Sequence, residues 1–198
     1  MKSTASQKKL YLLQHGLELV SQIGLTAITL GNLAEKAEVS KSGLFAHFGS
    51  KEELQIALLE HSANIASQVV ILPSLTEPEG LPRLQSLIQN WFGWPSRAEL
   101  PGGCPVAAAM FELDDVENPV KEKVAALNTE WQAYISQLVK EACHLGHLDP
   151  KLDVNQFVWQ LFGIYLVHHV FQRFERDPDV NVKATRAVDA LIDHSKPK

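Results

Sequence analysis

A disulfide framework is the first thing this sequence lacks. Its two cysteines, Cys104 and Cys143, give no framework of bridges, and the chain is expected in a reducing cytoplasm. Long apolar runs are also scarce. The greasiest, Leu161–Val167, stops at His168 and His169, far short of the ~20 residues a bilayer crossing needs, so neither a membrane span nor a membrane partner is expected. The first ten residues are polar, and Gln14, His15 and Glu18 interrupt the apolar positions that follow, so no secretory signal is expected. There is no Gly-rich phosphate loop, no nucleophile elbow and no zinc-protease motif, so catalysis is not expected. His144 and His147, and the adjacent His168 and His169, have no cysteine or carboxylate cluster beside them at ligand spacing. Neither a metal nor a cofactor is expected. Stretches of alternating Val, Ile and Thr bounded by turns are missing too, which removes strands and leaves an all-α reading.

What is present is ordinary in bulk and uneven in detail. Hydrophobic residues make up 45% and charged residues 21% of the chain, as in a globular protein with a real core. The formal net charge is −5, but residues 1–51 hold six lysines (2, 8, 9, 36, 41, 51) against Glu18, Glu35 and Glu38, a net of +3 that leaves −8 for the rest. A small basic head on an acidic body suggests one local polyanion contact.

Apolar spacing and capping residues place about nine helices. Leu10, Leu13, Leu17 and Val20 mark the first, with Gly24 as its stop. Thr29 caps a second whose inner side is Leu30, Leu33, Ala34 and Ala37. After a break at Glu38-Val39, Ser40 caps a very short third, ended by Gly49. Ser50-Lys51-Glu52-Glu53 is a capping box that opens a long fourth helix, expected to run to about Val70 with Pro73 and Pro78 marking its end. Helices are then expected over 81–94, 105–116, from Pro119 to Leu145, over 153–176, and last on Ala184, Ala187, Val188, Leu191 and Ile192, with a loop at 95–103. Residues 1–50 are thus a three-helix head, and 51–198 a linker helix with a helical body.

Thr29 through Leu54 carries the function. A helix of about eight residues, a tight break and a second of about seven make a helix-turn-helix, whose second helix suits the ~12 Å major groove. The side facing the groove must be small or polar, as Lys41, Ser42, Gly43, Ala46 and His47 are. The inner side must be apolar, and Val39, Leu44, Phe45 and Phe48 are assigned to it. The helix N-termini at Thr29 and Ser40 favour phosphate oxygens, and Lys51 adds a mobile positive charge.

The run VSKSGLFAHFGSKEEL (39–54), preceded by TAITLGNLAEKAE (26–38), resembles the DNA-binding head of the TetR family across about residues 8–60. The resemblance implies a head that binds palindromic double-stranded operators as a dimer and C-terminal helices that bind a small ligand releasing the DNA. It assigns Thr29, Lys41, His47 and Lys51 to phosphate contacts and Ser40, Ser42, Gly43 and Ala46 to places facing the groove. Two positions depart from the family. Phe45 stands where many members have a Tyr whose hydroxyl contacts a phosphate, and Glu38 stands where Gly is frequent, so any positive φ there carries a cost.

In the body, Trp91, Trp94, Met110, Phe111, Trp131, Trp159, Phe162 and Tyr165 are candidates to line a pocket for a small apolar or aromatic effector, with core packing as the alternative for each. The last two helices are apolar on two sides, enough to bury one inside the body and one against a second copy, and the resemblance implies a homodimer through the same helices. Cys104, in Gly102-Gly103-Cys104-Pro105, is either a redox-sensing thiol at a helix N-terminus or a small residue at a tight helix start. The expected function is a ligand-responsive regulator, a repressor by preference, against a protein-binding adaptor as the alternative.

Overall fold

A computed structural model describes residues 4–197 and contains ten helical stretches among them. They are α1 (Thr4–Ile23), α2 (Leu30–Lys36), α3 (Lys41–Phe45), α4 (Lys51–Ser74), α5 (Leu81–Phe92), α6 (Trp94–Arg97), α7 (Pro105–Glu112), α8 (Pro119–His144), α9 (Val154–Val170, continued by a π turn, Phe171–Glu175) and α10 (Val180–His194). No strand occurs among the described residues, so the all-α expectation holds. The stretch beyond the expected nine is α6, a single turn in the segment read as a loop. Lys2 and Lys198, counted in the polar ends, lie outside the described residues.

Local chemistry sets the helix starts. Thr29 accepts from the Asn32 amide at 3.0 Å while the Asn32 side chain accepts from the Thr29 amide at 2.8 Å, a reciprocal capping box at α2. Ser40 accepts from the Gly43 amide at 3.2 Å and Ser50 from the Glu53 amide at 3.0 Å. The Glu53 carboxylate reaches back to the Gly49 amide at 3.1 Å. Asp153 caps α9 through the Gln156 amide at 3.1 Å, and Pro119 occupies the first turn of α8.

Pro73 does not end α4 as expected. A π turn, Ser67–Ile71, widens the helix just ahead of it, where the proline ring would otherwise meet the carbonyl of Val69, and the helix continues to Ser74. The resulting helix is also long and apolar enough, by length and composition, to cross a membrane. That corrects the reading from unbroken apolar runs, which Glu60 and His61 interrupt. In this structure α4 packs on α1 and α7, Glu60 pairs with Lys123 at 2.8 Å, and the Gln55 amide donates to the Leu25 carbonyl at 2.7 Å.

The chain forms two compact units, each discontinuous in sequence, and neither coincides with a boundary at residue 50. One joins the described residues through Ala66 to Pro95–Asn128. Its core holds Leu12, Leu17, Val20, Leu25, Ile28, Leu33, Leu44, Phe48, Leu54, Leu58 and Leu59, with Ala107 and Ala109 of α7. On α1 the expected Leu17 and Val20 are buried, but in the turn before them the buried position is Leu12, whereas Leu10 is 48% exposed. The other unit joins Ser67–Trp94 to the chain from Thr129 onward. In it α9 packs on α10 around Phe157, Val158, Leu161, Ala184, Val188 and Ile192.

Candidate functional site

In the first unit α2 and α3 form the helix-turn-helix. The Val39 amide closes the turn by donating to the Ala34 carbonyl at 3.0 Å, and Glu38 takes a left-handed φ of 54°. Leu30, Leu33, Ala34, Ala37, Leu44 and Phe48 are buried, and α2 docks the pair on α1. Lys9 of α1 lies over the Phe48 ring, 5.7 Å from its centroid.

Ser40, Lys41, Ser42 and Ala46 are exposed, while Gly43 and His47 are half-buried. Phe45 is 57% exposed and shares the outer side with them, which corrects its assignment to the inner side. Leu44 and Phe48, four residues apart, fill the core contact of so short a helix, and Phe45 is turned away from them. Lys41 extends toward the start of α2: a Cβ placed on Gly31 would lie 3.5 Å from both Lys41 Cε and Thr29 Oγ1. Thr29 and Lys41 therefore stand together at one edge. Thr29 Oγ1 accepts from an amide, so its own O–H remains a donor. The Lys51 ammonium donates to the Thr26 carbonyl at 2.6 Å, which fixes it at the α1–α2 turn with two donors left over. The Ser40 hydroxyl is engaged in the α3 cap and lies 3.2 Å from Ser42 Oγ.

The pocket candidates divide. In the second unit Trp91, Trp131, Phe162 and Tyr165 are brought together. Trp91 stacks on Tyr165 at 4.1 Å and lies 5.0 Å from Phe162 and 5.5 Å from Trp131. Phe92 and Tyr134 extend the cluster. The Trp131 indole N–H is buried and meets no acceptor among the described residues. Trp94 is buried in the same unit. Met110 and Phe111 belong to the other unit. Phe111 is 52% exposed and Trp159 71%, so neither side chain lines an enclosed cavity. Trp159 instead borders a groove of about 1010 Å³ between α9 and α10, with Gly163, Val167, Phe171, Ala187 and Leu191.

Cys104 is buried and caps α7, its Sγ accepting from the Ala107 amide at 3.4 Å. His168 is buried with Nε2 2.8 Å from Asn181 Oδ1, which ties α9 to α10. His147 accepts from the Leu81 amide at 3.1 Å. No group of three or more His, Cys, Asp or Glu side chains gathers at a metal-binding distance among the described residues.

Residues 12–58 match the family model described as bacterial regulatory proteins, tetR family, and residues 80–188 match the tetracyclin repressor-like C-terminal domain. A search of curated proteins by sequence gave no match. Among solved structures, a TetR-family transcriptional regulator from Cytophaga hutchinsonii is similar at a TM-score of 0.86 and 15% identity, over 100% of this chain and 99% of that one. AibR, solved with isovaleryl coenzyme A and operator DNA, is similar at 0.69 and 16%, over 95% and 98%. FadR from Bacillus subtilis, solved with stearoyl-CoA, is similar at 0.74 and 14%, over 92% and 96%. With a matched N-terminal head and a matched C-terminal domain that covers more than half of it, the chain belongs to the TetR family of transcriptional regulators, which are transcription factors and not enzymes.

Proposed function

We propose that the protein is a ligand-responsive repressor that binds a palindromic operator as a homodimer in the cytoplasm and is released by a small apolar or aromatic effector. The observation that carries this reading is the outer side of α3. Lys41, Ser42 and Ala46 are exposed there beside Thr29, and no acidic side chain lies within the helix. In this reading Thr29, Lys41, His47 and Lys51 hold phosphates, and Ser40, Ser42, Gly43 and Ala46 face base edges. Phe45 adds an apolar surface suited to a thymine methyl group.

Dimerisation is supported by the outer sides of α9 and α10. Trp159, Val167, Phe171 and Phe174 are 71%, 57%, 42% and 81% exposed, an apolar surface that a second copy would cover. Gly163, Ala187 and Ala190 on the same groove let helices approach closely. The effector is assigned to the aromatic cluster, where the Trp131 indole N–H is a buried donor for a ligand oxygen. Acyl thioesters are the first compounds to screen, given what AibR and FadR carry.

Fluorescence anisotropy on the duplex upstream of the protein's own gene tests the reading. Affinity should fall steeply with salt, and Lys41→Ala should reduce the slope by about one phosphate contact. No binding at low salt would sink the proposal.

A further inference from the structure

We infer that Glu112, the last residue of α7, is a positioning residue that holds the α1–α2 turn, and through it the helix-turn-helix, in the arrangement that binds operator. The inference rests on the operator-binding reading above. A carboxylate at a helix C-terminus faces the negative end of the helix dipole and needs compensating donors. Glu112 has three, all on one turn: the Leu25 amide at 3.2 Å, the Thr26 amide at 2.7 Å and the Thr26 hydroxyl at 2.8 Å. Such charge-assisted bonds are the strong class. The carbonyls of the same two residues are held from α4, Leu25 by the Gln55 amide and Thr26 by the Lys51 ammonium. Both residues of the turn are thus held through their N–H and their C=O, and the peptide group between them is gripped from both sides, three residues ahead of the Thr29 cap that starts α2.

The glycines of this region fit the same clamp. Gly24 has φ +86°, and a Cβ there would lie 2.5 Å from Glu112 Oε1. A Cβ on Gly102 would run into the backbone carbonyl of Ser21 in the last turn of α1. Gly103 then donates its amide to that carbonyl at 2.9 Å, and Cys104 caps the helix that ends in Glu112. The Gly102-Gly103-Cys104-Pro105 motif and Glu112 therefore act as one module that seats α7 on the end of α1 and on the turn.

The test uses the full chain and a labelled duplex from upstream of its own gene. Glu112→Gln keeps the shape but turns an amide donor toward donors. It should weaken binding at least tenfold and speed hydrogen exchange at the Leu25 and Thr26 amides, with helix content unchanged. Thr26→Val, which loses one donor, should weaken binding about threefold, while Thr26→Ser should restore it. Gly102→Ala should weaken binding without touching the carboxylate. Glu112→Gln or Thr26→Val binding within twofold of wild type, or exchange at Leu25 and Thr26 left unchanged, would overturn the clamp. Should Glu112→Gln fail to fold, the Thr26 pair decides alone. A wild type that shows no binding contradicts the operator reading, and the exchange rates then still decide the clamp.

Discussion

Glu38 holds a left-handed backbone, φ 54°, in the turn between the two helices of the DNA-binding motif. That conformation costs an L-residue roughly 1–2 kcal/mol, against roughly 0.5–1 kcal/mol of extra chain entropy for glycine. Glu38→Gly is expected to raise stability by up to about 1 kcal/mol, and removing a negative charge beside α3 should also tighten operator binding. Parallel thermal melts and operator titrations check this, and a lowered midpoint would contradict it. A second residue-scale expectation concerns acid. Burial holds the His61 imidazole below its ordinary pKa of 6.5. Above pH 6.5 neither the folded nor the unfolded state is protonated there, and His61 has no effect. As pH falls below 6.5 the unfolded chain takes up the proton first, so stability is lost toward the lower folded-state value. The melting midpoint should drop between pH 6.5 and 5, and less so in His61→Gln. His169 is lowered in the same direction, by burial first and then by Arg173 and His168, so part of the drop should remain. Equal drops in the two proteins would remove His61 from this account. Residues whose partners lie three or four positions away, such as Thr29, Ser40 and Ser50, are readable from sequence. Phe45 was not, because five residues of helix define no apolar stripe. Glu112 was not, because its partners lie 86 and 87 positions away.

At the scale of elements, caps and breaks located most helices to within a few residues. The misses have one cause: prolines read as breaks are accommodated within helices. The π turn let α4 run past Pro73, and Pro95 sits inside the short α6 instead of breaking the chain into a loop. Thr29→Ala removes one half of the α2 capping box and is expected to cost about 1 kcal/mol of stability, read from a denaturant midpoint. The outer surface of α9 carries a larger expectation. A charge introduced there by Trp159→Glu should convert dimer to monomer in sedimentation equilibrium, with helix content kept because that side chain is 71% exposed. A dimer that persists at micromolar concentration would place the interface elsewhere. The pocket was the least legible element, since periodicity tells which side of a helix is apolar but not whether that side meets core, ligand or a second chain. Trp91 and Tyr165 proved to be stacked on each other, and Trp159 exposed.

Over the whole molecule the charge is divided, +3 on residues 1–51 against −8 on the remainder of a chain of net −5. A single head with few cations and a five-residue recognition helix should bind DNA weakly, so affinity and specificity should come from pairing two heads. That is the central claim, and a footprint of the protein on the DNA upstream of its own gene tests it most directly. Two protected half-sites related by a dyad, lost together in Trp159→Glu, are the expected result. Full protection by a monomeric variant, or no protection at low salt, would contradict it.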